Sequence, residues 1–485
     1  MKKFLSLNRS YINGEWIQGD TSKVFIILNK YNDEVLAEVN IASKKQVEEA
    51  FKGAKKAQKA WGKDNNFRKD VIEKAIKYFN DNKEEIIQLL IAESGSTVIK
   101  SELEFSSTVA VLNESLSMVD KIGKTNEGAS IIPGKINESH RLPLGVISSI
   151  APFNFPLYLS MRTIAPALAL GNAVVHKADL QVGLVSGSII AKAFEEAGIP
   201  AGVFQSIFTK SSEIGNLMIE TPYSDFISFT GSTEVGREIG KIAGEHLKSV
   251  ALELGGNGPF IVLDDADIDQ AVNAAIFGKF LHQGQICMIT NRIIVHENVY
   301  DEFVEKFVQK ARNLPYGDPS DPKVIVGPLI NEGQLVKAMK NIEKAKKAGN
   351  KLVLGGERIG NVIVPTVFID VKNDSELAQT ELFAPIATII KATSNDEAIE
   401  FANDTIYGLS SAIFSKDEDK AREYALDLKF GMTHINDQTV NDEPNVPFGG
   451  MRQSGVGRFG NPWIVEEFTE TKWISVQKEK REYPF

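Results

Sequence analysis

Residues 144–178 read LGVISSIAPFNFPLYLSMRTIAPALALGNAVVHKA, and this stretch decides the fold class. Its first part, LGVISSIAP, is a short apolar run typical of a buried strand, and its last part, NAVVHKA, has the same character. Between them, LYLSMRTIAPALALG has the length and composition of a helix that ends at Gly171. Strand, helix and strand in this order predict a βαβ unit whose two strands lie parallel in one sheet.

The same alternation continues along the chain. A helix in LVSGSIIAKAFEEAG, strands in GVFQSIF and DFISFTG, a helix in STEVGREIGKIAGEHL and a strand in SVALELGG follow in order. A second strand–helix series begins at PFIVLDDADIDQAVNAAIFGKF and extends to about residue 435. Upstream, Ser43 and Gln46 fit a capping box at the start of the first clear helix. The pattern predicts an α/β protein with a mostly parallel sheet, and ligand binding beyond the carboxyl ends of its strands.

Composition and charge exclude several classes of function. The 485 residues are 43% hydrophobic and 24% charged, which is ordinary for a globular chain of two or three domains. A net charge of −10, without a basic stripe or tail, argues against nucleic-acid and membrane partners. No window approaches the roughly 20 apolar residues that span a bilayer, and the apolar run in the first residues is too short for a signal peptide. One cysteine and six scattered histidines favour a cytoplasmic chain with no metal site.

The single cysteine, Cys287, lies in the stretch HQGQICM, residues 282–288. A lone cysteine is by default a small buried hydrophobe, so its chemistry depends on its companions. APFNFP (151–156) sets Asn154 at the end of a predicted central strand, where a rigid amide could donate to a developing oxyanion. LELGG (252–256) places Glu253 at an apolar strand end, as a candidate general base with a raised pKa. Taken alone, each residue also fits a structural role, as a loop amide or a member of an ion pair.

The stretch FTGSTEVG (229–236) follows a predicted strand and begins a helix, so its free N–H groups can face an anion. It is not a Walker A loop, because Arg237 and Glu238 stand where Lys and Ser or Thr are required. It also lacks the G-x-G-x-x-G fingerprint. An ordinary helix N-cap at Ser232 or Thr233 is the simpler interpretation of this stretch alone.

Together these stretches resemble the NAD(P)-dependent aldehyde dehydrogenase superfamily over nearly the whole chain. PFNFP, FTGSTEVG, LELGGN, GQICM, ELFAP and PFGGMRQSGVGR occur in the order of that family and at its usual separations. Each motif is only moderately specific, but six in order leave little room for chance. HINDQTVNDEPNVPFGG and HQGQICM most resemble the branch that oxidises aromatic aldehydes, with its benzaldehyde, vanillin and salicylaldehyde dehydrogenases.

The resemblance implies a catalytic trio. Cys287 would attack the aldehyde carbon to form a thiohemiacetal, while Asn154 and the backbone N–H of Cys287 bind the oxyanion. Loss of hydride to the nicotinamide then gives a thioester, and Glu253 activates the water that hydrolyses it. Relatives that transfer the acyl group to coenzyme A commonly lack this glutamate, so its presence favours release of a free acid.

The resemblance also implies a set of residues that bind the cofactor, from the adenosine ribose to the nicotinamide ring: Lys177, Gly231, Ser232, Glu381, Phe383 and Phe153. One position departs from the family. The glutamate that often binds the adenosine 2′-hydroxyl is replaced by Leu180, preceded by Asp179, so repulsion of a 2′-phosphate is weaker. The predicted cofactor is therefore NAD or NADP.

For the aldehyde we expect a pocket formed by six side chains: Phe155, Tyr158, Arg162, Ile286, Met288 and Phe448. The first three recur at +3 and +4 along a predicted helix, so they can share a face. The apolar members favour a flat aromatic ring. Arg162 could meet a phenolic or carboxylate substituent, although an ion pair on the helix is equally compatible with its position.

The implied architecture is an aldehyde dehydrogenase-like α/β fold of three units. These are a Rossmann-like coenzyme domain (1–124 and 143–253), an α/β catalytic domain (254–450) and a small β oligomerisation arm (125–142 and 468–485). The arm segments have hairpin or strand character with little of their own to pack against, so another subunit could complete their edge. We therefore expect a homodimer or homotetramer whose other partner is a small-molecule aldehyde.

Alternative functions differ in specific residues. An aliphatic or semialdehyde dehydrogenase would differ mainly around residues 155–162 and 438–448. A catalytically silent scaffold protein of the same fold predicts loss of Cys287, Asn154 or Glu253, and all three are present. A thiol esterase would leave Lys177 and Glu381 unexplained.

Overall fold

The computed structural model describes residues 2–485, and its strands form five sheets. In chain order the strands are β1 (Ser10–Ile12), β2 (Glu15–Ile17), β3 (Val24–Leu28), β4 (Val35–Asn40), β5 (Gly123–Ala129), β6 (Lys135–Pro143), β7 (Val146–Ile150), β8 (Ala173–Lys177), β9 (Phe204–Ile207), β10 (Phe226–Thr230), β11 (Ser249–Glu253), β12 (Gly258–Val262), β13 (Thr290–His296), β14 (Lys351–Leu354), β15 (Arg358–Ile359), β16 (Val362–Ile363), β17 (Thr366–Ile369), β18 (Ile386–Ala392), β19 (Ser410–Phe414), β20 (Met432–Ile435), β21 (Gly455–Val456) and β22 (Thr469–Gln477). The α-helices are α1 (Lys2–Leu5), α2 (Lys44–Trp61), α3 (Asn65–Asp81), α4 (Lys83–Ser94), α5 (Val98–Met118), α6 (Pro156–Ala169), α7 (Ile190–Glu196), α8 (Ser211–Ile214), α9 (Leu217–Glu220), α10 (Thr233–Glu245), α11 (Ile268–Phe280), α12 (Glu297–Arg312), α13 (Glu332–Lys347), α14 (Glu376–Gln379), α15 (Asn395–Asn403), α16 (Glu418–Asp427) and α17 (Trp463–Glu467).

The largest sheet has eight strands in the order β2-β1-β9-β8-β7-β10-β11-β21. The predicted βαβ unit is confirmed, because β7 and β8 pair in parallel and α6 connects them. The five neighbouring strands β9, β8, β7, β10 and β11 are all parallel. As in a doubly wound sheet, the chain adds strands on one side of β7 and then on the other, so the strand order changes direction between β7 and β10. Parallel strands end at the same edge, so four residues at or shortly after strand ends lie along one edge of the sheet: Asn154, Lys177, Gly231 and Glu253.

Local signals explain where the helices beside this sheet begin and end. The predicted capping box of α2 is confirmed, with Ser43 and Gln46 each binding the other's backbone N–H. α6 begins with Pro156 and is buried along its whole length, and Gly171 closes it at φ 82°. The helix predicted from residue 184 is different, because Leu184–Ile189 is a π-helix that precedes α7. Glu93 of α4 binds two N–H groups at its start, a tertiary contact that periodicity cannot reveal.

The second large sheet has the order β14-β17-β18-β13-β12-β19-β20 and is parallel except for β14. β12 begins at Gly258, shortly after β11 ends at Glu253, so the amino edge of this sheet faces the carboxyl edge of the first. The two edges approach closely at Gly256, where a Cβ would lie 2.1 Å from the carbonyl oxygen of Cys287. The strands of the eight-stranded sheet lie within residues 10–17, 146–253 and 455–456. Those of the second large sheet lie within residues 258–435. The domain limits drawn from the sequence stay a prediction.

The third sheet, β22-β6-β5, contains strands from both segments of the predicted arm. β22 pairs with β6 over nine residues, from Thr469 opposite Pro143 to Gln477 opposite Lys135. The two segments therefore complete each other within one chain, and β5 and β22 are left as edges. Association of these edges with another subunit stays a prediction.

The part of the chain that the structure describes contains no helix that is both long enough and apolar enough to cross a membrane.

Candidate active site

Cys287 follows the short turn Leu281–Gly284, between α11 and β13. His282, Gln283 and Gly284 all have left-handed backbone angles, with φ of 48°, 56° and 77°. Such angles cost free energy at non-glycine residues and persist only where surrounding contacts enforce them. Gly284 tolerates no side chain, because a Cβ would lie 2.3 Å from the carbonyl oxygen of Ala384. The turn therefore presents the cysteine in one defined position.

Hydrogen bonds from the same region anchor this turn to two other segments. Nε2 of Gln283 donates to the carbonyl oxygens of Gly95 and Pro328, both at 2.9 Å. Oε1 of Gln285 accepts from the N–H of Ile330 at 3.0 Å. The bonds satisfy buried backbone groups, so moving the turn would leave those groups without partners.

Cys287 is half-buried between two cavities and lines both of them, as does Asn154. Nδ2 of Asn154 donates one hydrogen to the carbonyl oxygen of Gln285 at 2.9 Å, and its second hydrogen is free. Oδ1 of Asn154 is buried and has no hydrogen-bond partner within residues 2–485. An amide held in this way beside a thiol can donate to an oxyanion that forms on a carbonyl bonded to the sulfur.

Glu253 ends β11 and is 1% exposed. Neither carboxylate oxygen accepts a well-formed hydrogen bond from the described chain, although the N–H of Gly450 faces the group. Burial raises the pKa of this carboxyl to about 8, against the opposing effect of the Arg162 guanidinium. Glu253 lines neither cavity but acts on Cys287 through its charge. A buried acid with unsatisfied oxygens, whose charge acts on a thiol, is a candidate proton acceptor.

The Cys287 thiol needs such an acceptor. Burial raises its pKa to about 12, and the negative charge of Glu253 adds to the effect of burial. The group is therefore a protonated thiol at neutral pH, whereas the thiolate is the nucleophile. A base must take the proton as the sulfur reacts, and Glu253, whose charge acts on this thiol, is the candidate.

The first cavity, of about 150 Å³, lies at the carboxyl edge of the eight-stranded sheet, where the strand order reverses. It is lined by five of the six residues that the sequence analysis assigned to the cofactor: Phe153, Gly231, Ser232, Glu381 and Phe383. Oε1 of Glu381 accepts from the N–H of Gly256 at 3.0 Å, which fixes the carboxylate. The rings of Phe153 and Phe383 meet edge to face, with centroids 6.0 Å apart.

These residues fit a dinucleotide. Ser232 is the N-cap of the 13-residue α10, and the unpaired N–H groups of its first turn can face a pyrophosphate. At Gly255 a Cβ would lie 2.7 Å from Oε2 of Glu381, so only glycine leaves this carboxylate open to a sugar hydroxyl. The two phenylalanine rings offer an apolar surface for a flat heterocycle.

The predicted adenosine-binding residue Lys177 ends β8 but is not among the side chains that line this cavity. Burial lowers the pKa of its ammonium group. The neighbouring Asp179 accepts from the N–H of Gln181 at 2.9 Å. Leu180 is 7% exposed and packs in the core. This turn therefore has no free acid at the position where relatives often have one, and contact of Lys177 with a ribose stays a prediction.

The second cavity, of about 220 Å³, lies on the other side of Cys287 and is mainly apolar. It is lined by five of the six predicted pocket residues: Phe155, Tyr158, Ile286, Met288 and Phe448. An engineered apolar cavity of about 150 Å³ holds benzene in another protein, so the present space is large enough for an aromatic ring.

Arg162 requires a correction, because it does not line this cavity. Its Nη1 pairs with Oδ2 of Asp442 at 3.0 Å, and its guanidinium lies over the rings of Phe448 and Phe459 at 4.4 and 4.5 Å. Helical spacing placed Arg162 on the face of Tyr158, but α6 is buried on all sides, so this position faces the interior. The residue acts at a distance, by opposing the raised pKa values of both Cys287 and Glu253.

Several cavity residues were not predicted. In the second cavity they are Leu103, Ser107, Leu159, Phe277, Leu281, Gln438, Val440, Asn441 and Asp442. In the first cavity they are Pro152, Thr230, Leu254, Gly255, Gln334 and Lys337. The spacing of Leu103 and Ser107, one turn apart on α5, was the available signal, but it does not say which pocket the helix faces.

Comparison with known proteins agrees with this geometry. Residues 16–474 match the aldehyde dehydrogenase family. AldY of Bacillus subtilis (strain 168), which carries a provisional aldehyde dehydrogenase name, is 58% identical over 483 residues, 99% of this chain and 100% of AldY. Benzaldehyde dehydrogenase YfmT of the same strain is 44% identical over 487 residues, 100% of both chains. A crystal structure of betaine aldehyde dehydrogenase from Staphylococcus aureus in complex with NAD+ is 31% identical, with a TM-score of 0.94 over 99% of this chain and 97% of that one.

Proposed function

The chain belongs to the aldehyde dehydrogenase family, and we propose that it oxidises an aromatic aldehyde to the free carboxylic acid with NAD or NADP. The observation that carries this proposal is the position of Cys287 between two different cavities. One has the glycines, helix N-terminus and carboxylate that suit a dinucleotide, and the other is an apolar space for the aldehyde. A thiol shared by both can hold an aldehyde carbon next to a hydride acceptor.

The first step joins the thiol to the aldehyde. The sulfur of Cys287 bonds to the carbonyl carbon, and the thiol proton moves to the carboxylate of Glu253. The oxyanion of the resulting thiohemiacetal accepts hydrogen bonds from the free Nδ2 hydrogen of Asn154 and from the backbone N–H of Cys287. When bound, the nicotinamide supplies the acceptor for the hydride that leaves this carbon.

The second step releases the acid. After hydride loss, Cys287 carries a thioester, and Asn154 can again polarise its carbonyl oxygen. The proton that Glu253 accepted from the thiol first passes to solvent. The regenerated carboxylate then takes a proton from water, the hydroxyl adds to the carbonyl carbon, and the carbon–sulfur bond breaks. This second proton moves to the sulfur or passes to solvent. A carboxyl pKa of about 8 makes this group a stronger base than an ordinary glutamate.

An aromatic substrate is supported by the lining of the second cavity. The rings of Phe155, Tyr158 and Phe448 and the side chains of Ile286 and Met288 offer flat or flexible apolar surfaces. Within the described chain, no arginine or lysine is among its lining residues, whereas Asp442 is. A semialdehyde that carries a carboxylate would therefore meet no cation in the lining, because the Arg162 guanidinium lies behind Phe448 and is already paired with Asp442. The similarity to the benzaldehyde dehydrogenase YfmT points the same way.

The cofactor proposal covers both dinucleotides. A related protein was solved with NAD+, and the site has the glycines and the half-buried Glu381 that suit the shared part of the two molecules. Leu180 offers no carboxylate to repel a 2′-phosphate, and the carboxylate of Asp179 is engaged by Gln181.

We further propose a homodimer or homotetramer in the cytoplasm. Trp473 on the edge strand β22 is 68% exposed, and a large aromatic on an open strand edge favours burial against another subunit. A reducing compartment suits a catalytic thiol.

The test measures NADH or NADPH formation with benzaldehyde, acetaldehyde and succinate semialdehyde, each with both cofactors, beside C287A. We expect kcat/KM to be highest for benzaldehyde and activity to be absent in C287A. Greater activity on acetaldehyde or the semialdehyde would refute the aromatic assignment and leave the mechanism intact. Activity in C287A, or none in the folded wild-type protein with any aldehyde, would refute the mechanism.

A further inference from the structure

A buried ion pair lies directly behind the loop that carries Asn154. Lys100 and Glu104 are one turn apart on α5, are completely buried and form a salt bridge with each other. Nζ of Lys100 also donates to the backbone carbonyl oxygen of Asn154 at 2.7 Å. The same ammonium group lies over the ring of Phe155, 4.2 Å from its centroid.

Glu104 binds the other end of the same loop. Its Oε1 accepts from the N–H groups of Leu157 and Tyr158, at 2.8 and 3.2 Å. These are the first free donors of α6, which begins with Pro156 and has no side-chain cap of its own. The carboxylate of another helix therefore caps α6, and the negative charge stabilises its N-terminus.

Stability alone does not explain two buried charges, since replacing such a pair by apolar residues is often neutral or stabilising. Here each charged group satisfies backbone atoms of residues 154–158 that an apolar pair would leave unsatisfied. The loop is thus clamped at the carbonyl group of Asn154 and again at the start of α6, three residues later. The same helix lines the aldehyde cavity through Leu103 and Ser107, so α5 links the shape of the pocket to the position of the amide.

We propose that Lys100 and Glu104 are positioning residues that hold the Asn154 amide in place to bind the oxyanion. The inference rests on the oxyanion role assigned to Asn154 in the proposed function. Neither residue touches the substrate. A displacement of about 1 Å at a catalytic group can lower a rate about 100-fold, so a clamp on this loop has a measurable effect on turnover.

The experiment compares the double variant K100M/E104Q with wild type, in the wild-type and the N154A backgrounds. The double variant removes both charges together, so no unpaired charge remains buried, and the amide oxygen of the new side chain at 104 can still accept from Leu157 and Tyr158. E102Q is the matched control, because Glu102 lies on the same helix and pairs with Lys83 at 2.8 Å, away from the loop.

We expect K100M/E104Q to lower kcat with benzaldehyde by about 10-fold or more, and to leave the Kd for the cofactor unchanged. In the N154A background the same double variant should change kcat by less than about 2-fold, since the group that it positions is absent. E102Q should match wild type. If the double variant merely destabilised the protein, it would lower kcat equally in the wild-type and the N154A backgrounds. A loss of kcat confined to the wild-type background therefore distinguishes positioning of Asn154 from a purely structural role.

If K100M/E104Q does not fold, K100Q/E104Q replaces it, because an amide can still donate to the carbonyl oxygen of Asn154 and should retain more activity. Equal losses of kcat in both backgrounds, or no loss in the wild-type background, overturn the inference and leave the proposed function standing. If N154A itself leaves kcat unchanged, the oxyanion role fails, and the positioning role fails with it.

Discussion

Replacing Glu253 by glutamine tests whether a single buried carboxyl controls turnover. With a pKa of about 8, roughly a tenth of the Glu253 carboxyls are ionised at pH 7 and roughly nine tenths at pH 9. Only the ionised form can take a proton from the thiol or from water. If either transfer limits the reaction, kcat should therefore rise about 10-fold between these pH values and then level off.

The assay is the rate of NADH formation at saturating benzaldehyde and NAD, measured at half-unit steps from pH 6 to pH 10. In E253Q the rise should disappear, and kcat at pH 9 should fall by about 10² to 10⁴, the usual contribution of a positioned general base. Stopped-flow measurement of the first turnover then separates formation of the thioester from its hydrolysis. If the first turnover of E253Q is faster than its steady-state rate, the substitution slows hydrolysis of the thioester more than its formation.

E93Q is the matched control. The Glu93 carboxyl is also buried, and burial also raises its pKa, but its oxygens are occupied by the N–H groups of Leu184 and Val185. E93Q should keep the 10-fold rise. A flat profile in the wild-type protein, or the same rise in E253Q as in wild type, would show that another group titrates and would refute the assignment.

Three further predictions concern the packing of buried residues, and two of them have a matched control variant. R162M should lower the free energy of unfolding by about 3–5 kcal/mol in urea titrations, because it leaves the Asp442 charge buried without its partner. The double variant R162M/D442N should recover most of this loss. If the single and the double variant lose the same stability, the argument is wrong. K279M should stabilise the protein at pH 7, because the buried Lys279 ammonium has no partner in residues 2–485 and burial lowers its pKa from 10.5 to about 7. This lowering of the Lys279 pKa corresponds to a loss of roughly 5 kcal/mol of stability at most. Between these two pKa values the unfolded wild-type chain binds a proton that the folded chain does not, so wild type gains stability as the pH rises. The advantage of K279M, measured by urea titration, should therefore shrink as the pH approaches 10.5. G256A should abolish NADH formation, since its Cβ would lie 2.1 Å from the carbonyl oxygen of Cys287. G244A is the control, because a Cβ at this position of α10 has nothing within 4 Å. It should retain activity and raise the melting temperature slightly.

The fold was predictable where one stretch of sequence contained the whole signal. The βαβ unit of residues 144–178 and the capping box at Ser43 are local patterns, and the structure has both. The π-helix after Gly183 was not predictable, because it begins where Glu93 of another helix binds its first N–H groups. The pairing of β22 with β6 joins residues more than 300 positions apart and leaves no local trace in either strand.

The site shows the same division between motif and tertiary contact. Residues inside motifs, such as Asn154 and Phe383, line the cavities as expected. Arg162 was misplaced because helical spacing gives relative positions on a helix and does not say which face meets the pocket. Lys100 and Glu104 were not predicted as site residues, because an i,i+4 pair of opposite charges usually lies on an exposed helix surface. This pair is buried only by the tertiary fold.

The pKa values of Cys287 and Glu253 together describe how the site protects and then uses its thiol. Moving the proton from the sulfur, with a pKa of about 12, to the carboxylate, with a pKa of about 8, costs roughly 5 kcal/mol at most. The real cost is lower, because the Glu253 charge that helps to raise the thiol pKa disappears when the carboxylate takes the proton. Free thiolate is therefore scarce in the resting enzyme, which limits oxidation of its one cysteine. In the proposed mechanism, proton transfer becomes favourable only as the sulfur–carbon bond forms and the oxyanion meets the amide of Asn154. The site would then activate its thiol only when an aldehyde is present.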